Sequence, residues 1–417
     1  MHNGYIDGIF TGNSIDLVAQ CRLIKEWRVM KICLVGPCSP LDIDHGQFEF
    51  QPDNYDYLDF YRGIPVSTLA NELLAAGHEV EIISTVFNLV EEQIILRGPR
   101  LKFTIVRSTK NTKVRALTLW KSDRKLLIRA IEKSDADVFH AHWTYEFAMA
   151  TLTCKRDALV SAHDAPIKIF QYYRDIYRLL RLAMAFYVRF RTRNLAAVSP
   201  YLADSWRTKM HWKRKIFVLP NLIPKDIVSR SHPYSPHGNR VLCVSDASAL
   251  KNVKTLIRSW NQISHLVTNH LLVIVGNGLG PSEEMFQWAD SSGLNNRIVW
   301  KGYLERTEVS SEMSRANILC HPSLEESHSL VLMEALAMGL PIVAGKNSGA
   351  VPWTIGDAGV LVDVESELDL SEAMIKLLQN LEVRVGLSKM AVKRSLEVFG
   401  TQVILPKYLD TYRLLIG

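Results

Sequence analysis

The sequence predicts an α/β protein of two doubly wound parallel-sheet domains facing each other across a cleft. Three observations carry that expectation. At 417 residues the chain exceeds the roughly 250–300 residues at which a single core stops growing. Short apolar runs alternate with helical patterns along most of its length, which is how βαβ units read. A proline- and serine-rich stretch, 224–238, interrupts the alternation once, and the pattern then restarts.

The elements begin at Met30, where Met-Lys-Ile-Cys-Leu-Val-Gly reads as a first buried strand ending in glycine. Residues 1–29 read as an extension outside the fold and lack the charged start, apolar core and cleavage site of a signal peptide. A helix is expected from Pro65 to about Ala76, with Val66, Leu69, Leu73 and Ala76 on one face and Gly77 as its stop. Strands follow at Val80–Ser84, Asp137–Ala141, Ala158–Ala162, Leu195–Ser199 and Ile216–Leu219, making 30–223 an N-terminal domain. Beyond the 224–238 linker, strands at Val241–Ser245, Leu271–Val275, Ile298–Trp300, Ile318–Cys320, Pro341–Ala344 and Val360–Val362 make 239–400 a second domain. Thr401–Ile416 closes the chain as an amphipathic helix. Ligands of such sheets bind beyond the carboxyl ends of the strands, so the active site is expected in the cleft, with the linker as its hinge.

Composition narrows the class. With 47% hydrophobic and 22% charged residues the chain is neither disordered, nor collagen-like, nor a disulfide scaffold. No run of about 18 uninterrupted apolar residues occurs, which excludes a membrane-spanning helix. Six scattered cysteines (21, 33, 38, 154, 243, 320) form no Cys-x-x-Cys pair, so a reducing cytoplasmic setting fits best. The net charge of +6 is uneven. Between Ala165 and Lys215 twelve Lys/Arg face two acids, a local +10, which leaves the rest at −4. One basic face suits phosphates or an anionic membrane surface and speaks against nucleic acid as the partner.

The most informative stretch is Pro322-Ser-Leu-Glu-Glu-Ser-His-Ser-Leu-Val-Leu-Met-Glu-Ala-Leu-Ala-Met-Gly-Leu-Pro341. It follows a strand and contains a helical pattern through Leu330, Met333, Glu334 and Ala337. Glu326 is then expected in the loop before a helix whose first turn holds Ser329, Leu330 and Val331. A helix N-terminus offers amides to an anion and suits a diphosphate. Glu334, inside the helix, can accept hydrogen bonds from paired sugar hydroxyls.

This segment resembles the signature of the family-4 retaining glycosyltransferases, also called group 1 glycosyltransferases. The resemblance continues through Val218-Leu-Pro-Asn221, Lys251-Asn252, Val273-Ile-Val-Gly-Asn-Gly278, Ala344-Gly345, Ser348-Gly-Ala-Val-Pro-Trp353 and Gly359-Val-Leu-Val-Asp363. In the first half it includes Asp137-Val-Phe-His-Ala-His142 and His163-Asp164, so it covers about Met30 to the C-terminus. It implies the GT-B fold, two Rossmann-like domains across a cleft, with the last helix packed back on the first domain. It further implies transfer of a sugar from a nucleotide diphosphate sugar donor to a saccharide or lipid-linked acceptor, with retention and without a metal cofactor. By the same resemblance Glu334 binds the nucleotide ribose, Glu326 faces the transferred sugar and Lys251 neutralises the diphosphate. His163 projects from the first domain toward the sugar, and the amides near Ser329, Leu330 and Val331 hold phosphate. Family habit points to cell-envelope or exopolysaccharide synthesis.

Two departures bear on that reading. His328 and Ser329 stand where the family usually has an aromatic residue and then glycine, which leaves the donor sugar open. Asp246 stands where many members place an arginine beside the diphosphate, the reason to weigh a catalytically inactive scaffold. A nucleotide-sugar epimerase of similar fold is a further alternative. Gly276-Asn-Gly-Leu-Gly280 departs from a dinucleotide fingerprint in spacing, and Asp42-Ile-Asp44 and Asp135-Ala-Asp137 read as turn carboxylates rather than a metal motif. The acidic, tyrosine-bearing stretch Leu41–Tyr61 is expected at the acceptor site. Tyr172–Arg193 reads either as a core-facing helix with solvated arginines or as a contact with anionic lipid, its Arg174, Arg178 and Arg181 forming one basic stripe.

Overall fold

The computed structural model describes residues 29–49, 58–60, 62–155, 157–225, 227 and 239–417. The N-terminal extension, except Val29, and nearly all of the 226–238 part of the linker lie outside the described residues. Two sheets organise the chain. The first has eight strands in the order β3-β4-β2-β1-β5-β6-β7-β8. Its members are β1 (Lys31–Val35), β2 (Glu79–Val86), β3 (Gln93–Arg97), β4 (Leu101–Arg107), β5 (Val138–His142), β6 (Leu159–Ala162), β7 (Asn194–Ala197) and β8 (Ile216–Val218). The second orders β11-β10-β9-β12-β13-β14. These are β9 (Arg240–Val244), β10 (Leu271–Val275), β11 (Ile298–Gly302), β12 (Ile318–His321), β13 (Ile342–Gly345) and β14 (Gly359–Val362). Among the described residues every pairing between these strands is parallel except β3 with β4.

Interior strands such as β1, β10 and β12 are buried on both faces, which is why they read as unbroken apolar runs. The β3–β4 hairpin was not anticipated. Its cue was present in the short apolar run Ile94-Ile95-Leu96, followed by Gly98-Pro99 and then by Leu101, Phe103 and Ile105 alternating with Lys102 and Thr104. The helix expected from Pro65 spans Ile64–Ala75 and packs its Val66, Leu69 and Leu73 into the first core.

The last helix, Thr401–Ile416, belongs to that same core. Ile404, Leu405, Tyr408, Leu409 and Tyr412 join the cluster around β1 and β2. The Tyr408 hydroxyl donates to the carbonyls of Leu219 and Pro220, both at 3.2 Å.

The stretch 172–193 is corrected by the structure. Arg174 adopts a left-handed conformation (φ 48°) and ends one helix, Pro166–Tyr173. Asp175 caps the next, Ile176–Arg191, by accepting from the amide of Arg178 at 2.8 Å. The three arginines form no common outward stripe. Arg178 pairs with Asp175 at 2.8 Å. Arg181 lies on the buried side, its guanidinium 3.7 Å from the ring centre of Tyr145. The charges of Glu146 and Asp164 nearby favour its cationic form. Among the described residues no helix is long and apolar enough to cross a membrane.

Candidate active site

The site forms where the loops after β9, β12 and β13 converge. After β9 the chain runs through Asp246 into a short turn, Ala249–Lys251, and then Asn252. Asn252 takes a left-handed conformation (φ 53°), which a short polar side chain tolerates best, and its side-chain amide donates to the carbonyl of Val364 at 2.8 Å. That anchor aims Lys251 at the loop after β12. Its Nζ lies 2.6 Å from Oε1 of Glu326, and Nε2 of His321 lies 3.0 Å from the same oxygen.

Glu326 is largely shielded from solvent, and desolvation by itself would raise its pKa. The Lys251 ammonium and the His321 hydrogen bond outweigh burial and hold the carboxyl well below its usual range. Burial likewise works against charge on Lys251, but Glu326 and then Asp246 hold its pKa above the ordinary value. Asp246, suspected of weakening phosphate binding, has its Oδ1 committed to the amide of Ser248 at 2.8 Å. It is a turn residue that reinforces the neighbouring cation.

The backbone of Glu326 is fixed from the β13 loop. The Ala350 amide donates to its carbonyl at 2.7 Å. Gly349 precedes with φ +62°, and a Cβ there would sit 2.4 Å from that same carbonyl. Glycine is therefore required by close approach as well as by backbone conformation. Gly276 has a comparable explanation, since a Cβ on it would fall 1.5 Å from the carbonyl of Ser245. The glycines after β10 serve loop packing against β9.

Ser329 caps the helix Leu330–Ala337. Its Oγ accepts from the amide of Leu332 at 3.4 Å, and the first intrahelical bond runs from Met333 to Ser329. The amides of Leu330 and Val331 therefore precede the helix ladder, as an anion site requires. The side chain that replaces the family's glycine folds back as a cap and is buried. His328, in the usual aromatic position, packs its ring 5.2 Å from those of both Trp353 and Phe399. Its Nδ1 accepts from the Asn221 amide at 3.2 Å.

Glu334 projects from that helix toward Arg306, whose Nε lies 3.4 Å from Oε1. Arg306 was not picked out from the sequence, because nothing local marks it. It opens the helix after β11, and only packing of two loops brings it to Glu334. It also lines a cavity of about 380 Å³ together with Leu41–His45, Ser67, Thr68, Asn71, Glu72, Pro224, Lys225 and Thr307. Leu41–His45 of the Leu41–Tyr61 stretch thus lie beside Arg306 at the Glu334 end of the groove; 50–57 and 61 are outside the described residues.

Across the cleft, β5 ends in His142 and β6 is followed by His163. Nε2 of His163 lies 3.0 Å from Nδ1 of His142. His140 sits behind them, bonded to the hydroxyls of Tyr412 at 2.8 Å and Ser161 at 2.7 Å. Burial lowers the pKa of His163 to about 4 and of His140 to about 3, so both are neutral imidazoles near neutral pH. The two domains touch around this groove: Arg62 pairs with Glu305 at 2.8 Å. The Asp135-Ala-Asp137 carboxylates lie elsewhere, Asp135 paired with Lys31 and Asp137 accepting its amide at 2.8 Å.

Comparison with known proteins decides the family. The model described as "Glycosyl transferases group 1" matches residues 225–394, and that described as "Glycosyltransferase Family 4" matches 66–226. The chain belongs to the group 1 glycosyltransferases of family 4. The fold is GT-B: a sucrose-phosphate synthase from Thermosynechococcus elongatus superposes with a TM-score of 0.71 at 18% identity, covering 93% of this chain and 99% of that one. HepE from Anabaena, solved in complex with UDP and glucose, gives 0.63 at 15% identity over 92% and 99%. N-acetyl-alpha-D-glucosaminyl L-malate synthase of Bacillus anthracis is 19% identical over 84% of this chain and 93% of its own length. The match to Sucrose-phosphate synthase 4 of Arabidopsis thaliana spans 15% of that protein. This glycosyltransferase therefore shares its whole two-domain frame with some relatives and a single segment with others.

Proposed function

We propose that this glycosyltransferase moves a sugar, with retention of anomeric configuration, from a nucleotide diphosphate sugar to a saccharide or lipid-linked acceptor of the cell envelope or an exopolysaccharide. The observation that carries the reading is the convergence of Lys251, Glu326 and the Leu330–Val331 amides at one end of a groove that has Glu334 along it. The nucleoside end of the donor lies beside Glu334 and Arg306, its ribose hydroxyls donating to the Glu334 carboxylate. The diphosphate takes the Lys251 ammonium and the helix amides, and Glu326 faces the transferred sugar.

As the glycosidic bond breaks, negative charge grows on the leaving diphosphate, and preorganised donors aimed at it stabilise the transition state. Ligand phosphate draws Lys251 from Glu326, which His321 continues to hold. The leaving phosphate oxygen takes the acceptor's proton on the same face, so a glycosidase-like carboxylate pair is unnecessary. His163, neutral and held by His142, offers a hydrogen bond to the sugar without competing for phosphate. The acceptor approaches from the His163 side. We propose that no metal cofactor takes part, since Lys251 supplies the positive charge the diphosphate needs. The enzyme then works in the cytoplasm against an anionic membrane surface that carries the acceptor.

Thermal stabilisation across a panel of UDP-, GDP- and ADP-sugars identifies the donor, and NMR of the product reads the anomeric outcome. Turnover of donor to an epimer with no acceptor consumed, or an inverted product, overturns the proposal.

A further inference from the structure

The structure leaves one large apolar face uncovered. On the helix Ile176–Arg191 the outward positions are Ile176, Leu179, Ala183, Tyr187 and Phe190, a stripe at helical spacing. Ile176 is 71% exposed, Leu179 50% and Phe190 74%. The short helix Thr112–Leu117 packs alongside and adds Leu117, which is 75% exposed. Contiguous exposed side chains of this size are uncommon on a monomer and mark an interaction surface.

The charge around the stripe selects the partner. The segments that build this face, 110–125 and 172–193, carry twelve Lys/Arg and two acids. Both acids are engaged: Asp123 is buried against the Ser108 hydroxyl at 2.6 Å, and Asp175 pairs with Arg178. Lys113, Arg174 and Arg191 are exposed. Large apolar groups flanked by unopposed cations complement a bilayer interface carrying anionic headgroups. A second copy of the face would bring the same cations together.

We infer that this face seats the enzyme on an anionic lipid surface, with Ile176, Leu179, Leu117 and Phe190 in the acyl boundary and Arg174 and Arg191 at the headgroups. The basic stripe expected from the sequence is replaced by an apolar stripe with a cationic rim, since Arg181 is half-buried over the Tyr145 ring and Arg178 is paired. Position supports the assignment. The preceding helix, Pro166–Tyr173, follows directly on His163-Asp164, and Tyr172 lies with Asn347 and Ser348 of the second domain. The seated face thus adjoins the acceptor side of the cleft, a placement that rests on the lipid-linked acceptor proposed above.

Co-sedimentation of the full chain with vesicles of equal parts phosphatidylglycerol and phosphatidylcholine, and with pure phosphatidylcholine, tests the inference at low and high salt. The wild type is expected on the anionic vesicles at low salt, less at high salt, and much less on neutral ones. The triple substitution L117S/I176S/F190S should abolish binding, and R174E/R191E should lower partitioning onto anionic vesicles about tenfold or more, at roughly fivefold per lost cation. Unchanged thermal melting and nucleotide-sugar stabilisation show that the variants fold; if the triple variant does not, the charge variant decides. A wild type that stays in the supernatant, or both variants binding like it, overturns the inference. So does a wild-type dimer that the apolar substitutions dissociate, which assigns the face to a second copy. Vesicle binding without any nucleotide-sugar stabilisation counts against the proposed reaction and leaves this surface standing.

Discussion

The second domain meets the cleft with charges held in pairs, Lys251 on Glu326 and Arg306 on Glu334. The first meets it with His142 and His163, with His140 behind, and burial keeps all three neutral. One face can trade internal partners for the phosphate and hydroxyls of a ligand. The other can hydrogen-bond a sugar without adding charge. The contrast teaches that the polarity of this groove is set by what each side chain is packed against, since imidazole and carboxylate both titrate near the range in which an enzyme works.

Acid charges the buried histidines, His140 and His163 on the neutral face and His328 in the second domain, and this is the largest expected effect. His140, His328 and His163 have folded pKa values of about 3, 3 and 4, below the ordinary histidine value near 6.5. The unfolded chain therefore binds more protons over that window. Their contribution is complete above about pH 6.5 and is lost as pH falls toward 4. His140 and His328 should each cost about 3 kcal/mol by pH 4, and the partly exposed His163 less. Denaturant melts at pH 7, 5.5 and 4 measure this, and a flat profile contradicts it.

Next comes the paired face. Lys251→Ala should remove about 2–4 kcal/mol of transition-state stabilisation, roughly 30- to 1,000-fold in kcat/KM. Near-wild-type turnover would show that the cation serves folding alone. Glu334→Gln should raise the donor KM about tenfold with a smaller change in kcat, because a charged acceptor for ribose hydroxyls is lost. Nucleotide affinity by calorimetry is the check.

Smaller effects sharpen the comparison. Tyr412→Phe deletes the hydroxyl on Nδ1 of His140 and should cost about 1 kcal/mol of stability, read in denaturant midpoints, with little change in donor KM. Chelation should change nothing: exhaustive EDTA treatment is expected to leave turnover intact, and restoration by a divalent ion after its loss would refute the metal-free proposal.

Much of the fold was legible because buried parallel strands leave long apolar runs punctuated by glycine. Twelve of the fourteen strands were read from such runs; β3 was passed over because it is a short, half-exposed edge strand, and β4, although largely buried, because Lys102, Thr104 and Arg107 interrupt its apolar residues. Glu326, Ser329 and Glu334 were legible as one local segment. Arg306 was not, since it is far from Glu334 in the chain and adjacent to it in space. Asp246 was visible in the sequence, and the structure adds that its Oδ1 accepts from the amide of Ser248 at 2.8 Å.

The sequence by itself determined the order of strands and helices, the two-sheet plan and the chemistry of the residues at the strand ends. Periodicity and turn residues are local properties that survive without coordinates. The tertiary structure decided which charges are spent and which are offered. It stacked Arg181 on Tyr145, paired Arg306 with Glu334, seated His142 on His163 and turned Phe190 outward. The physical reason is that desolvation and Coulomb energies depend on distance and burial, which segments far apart in the chain set only when they pack.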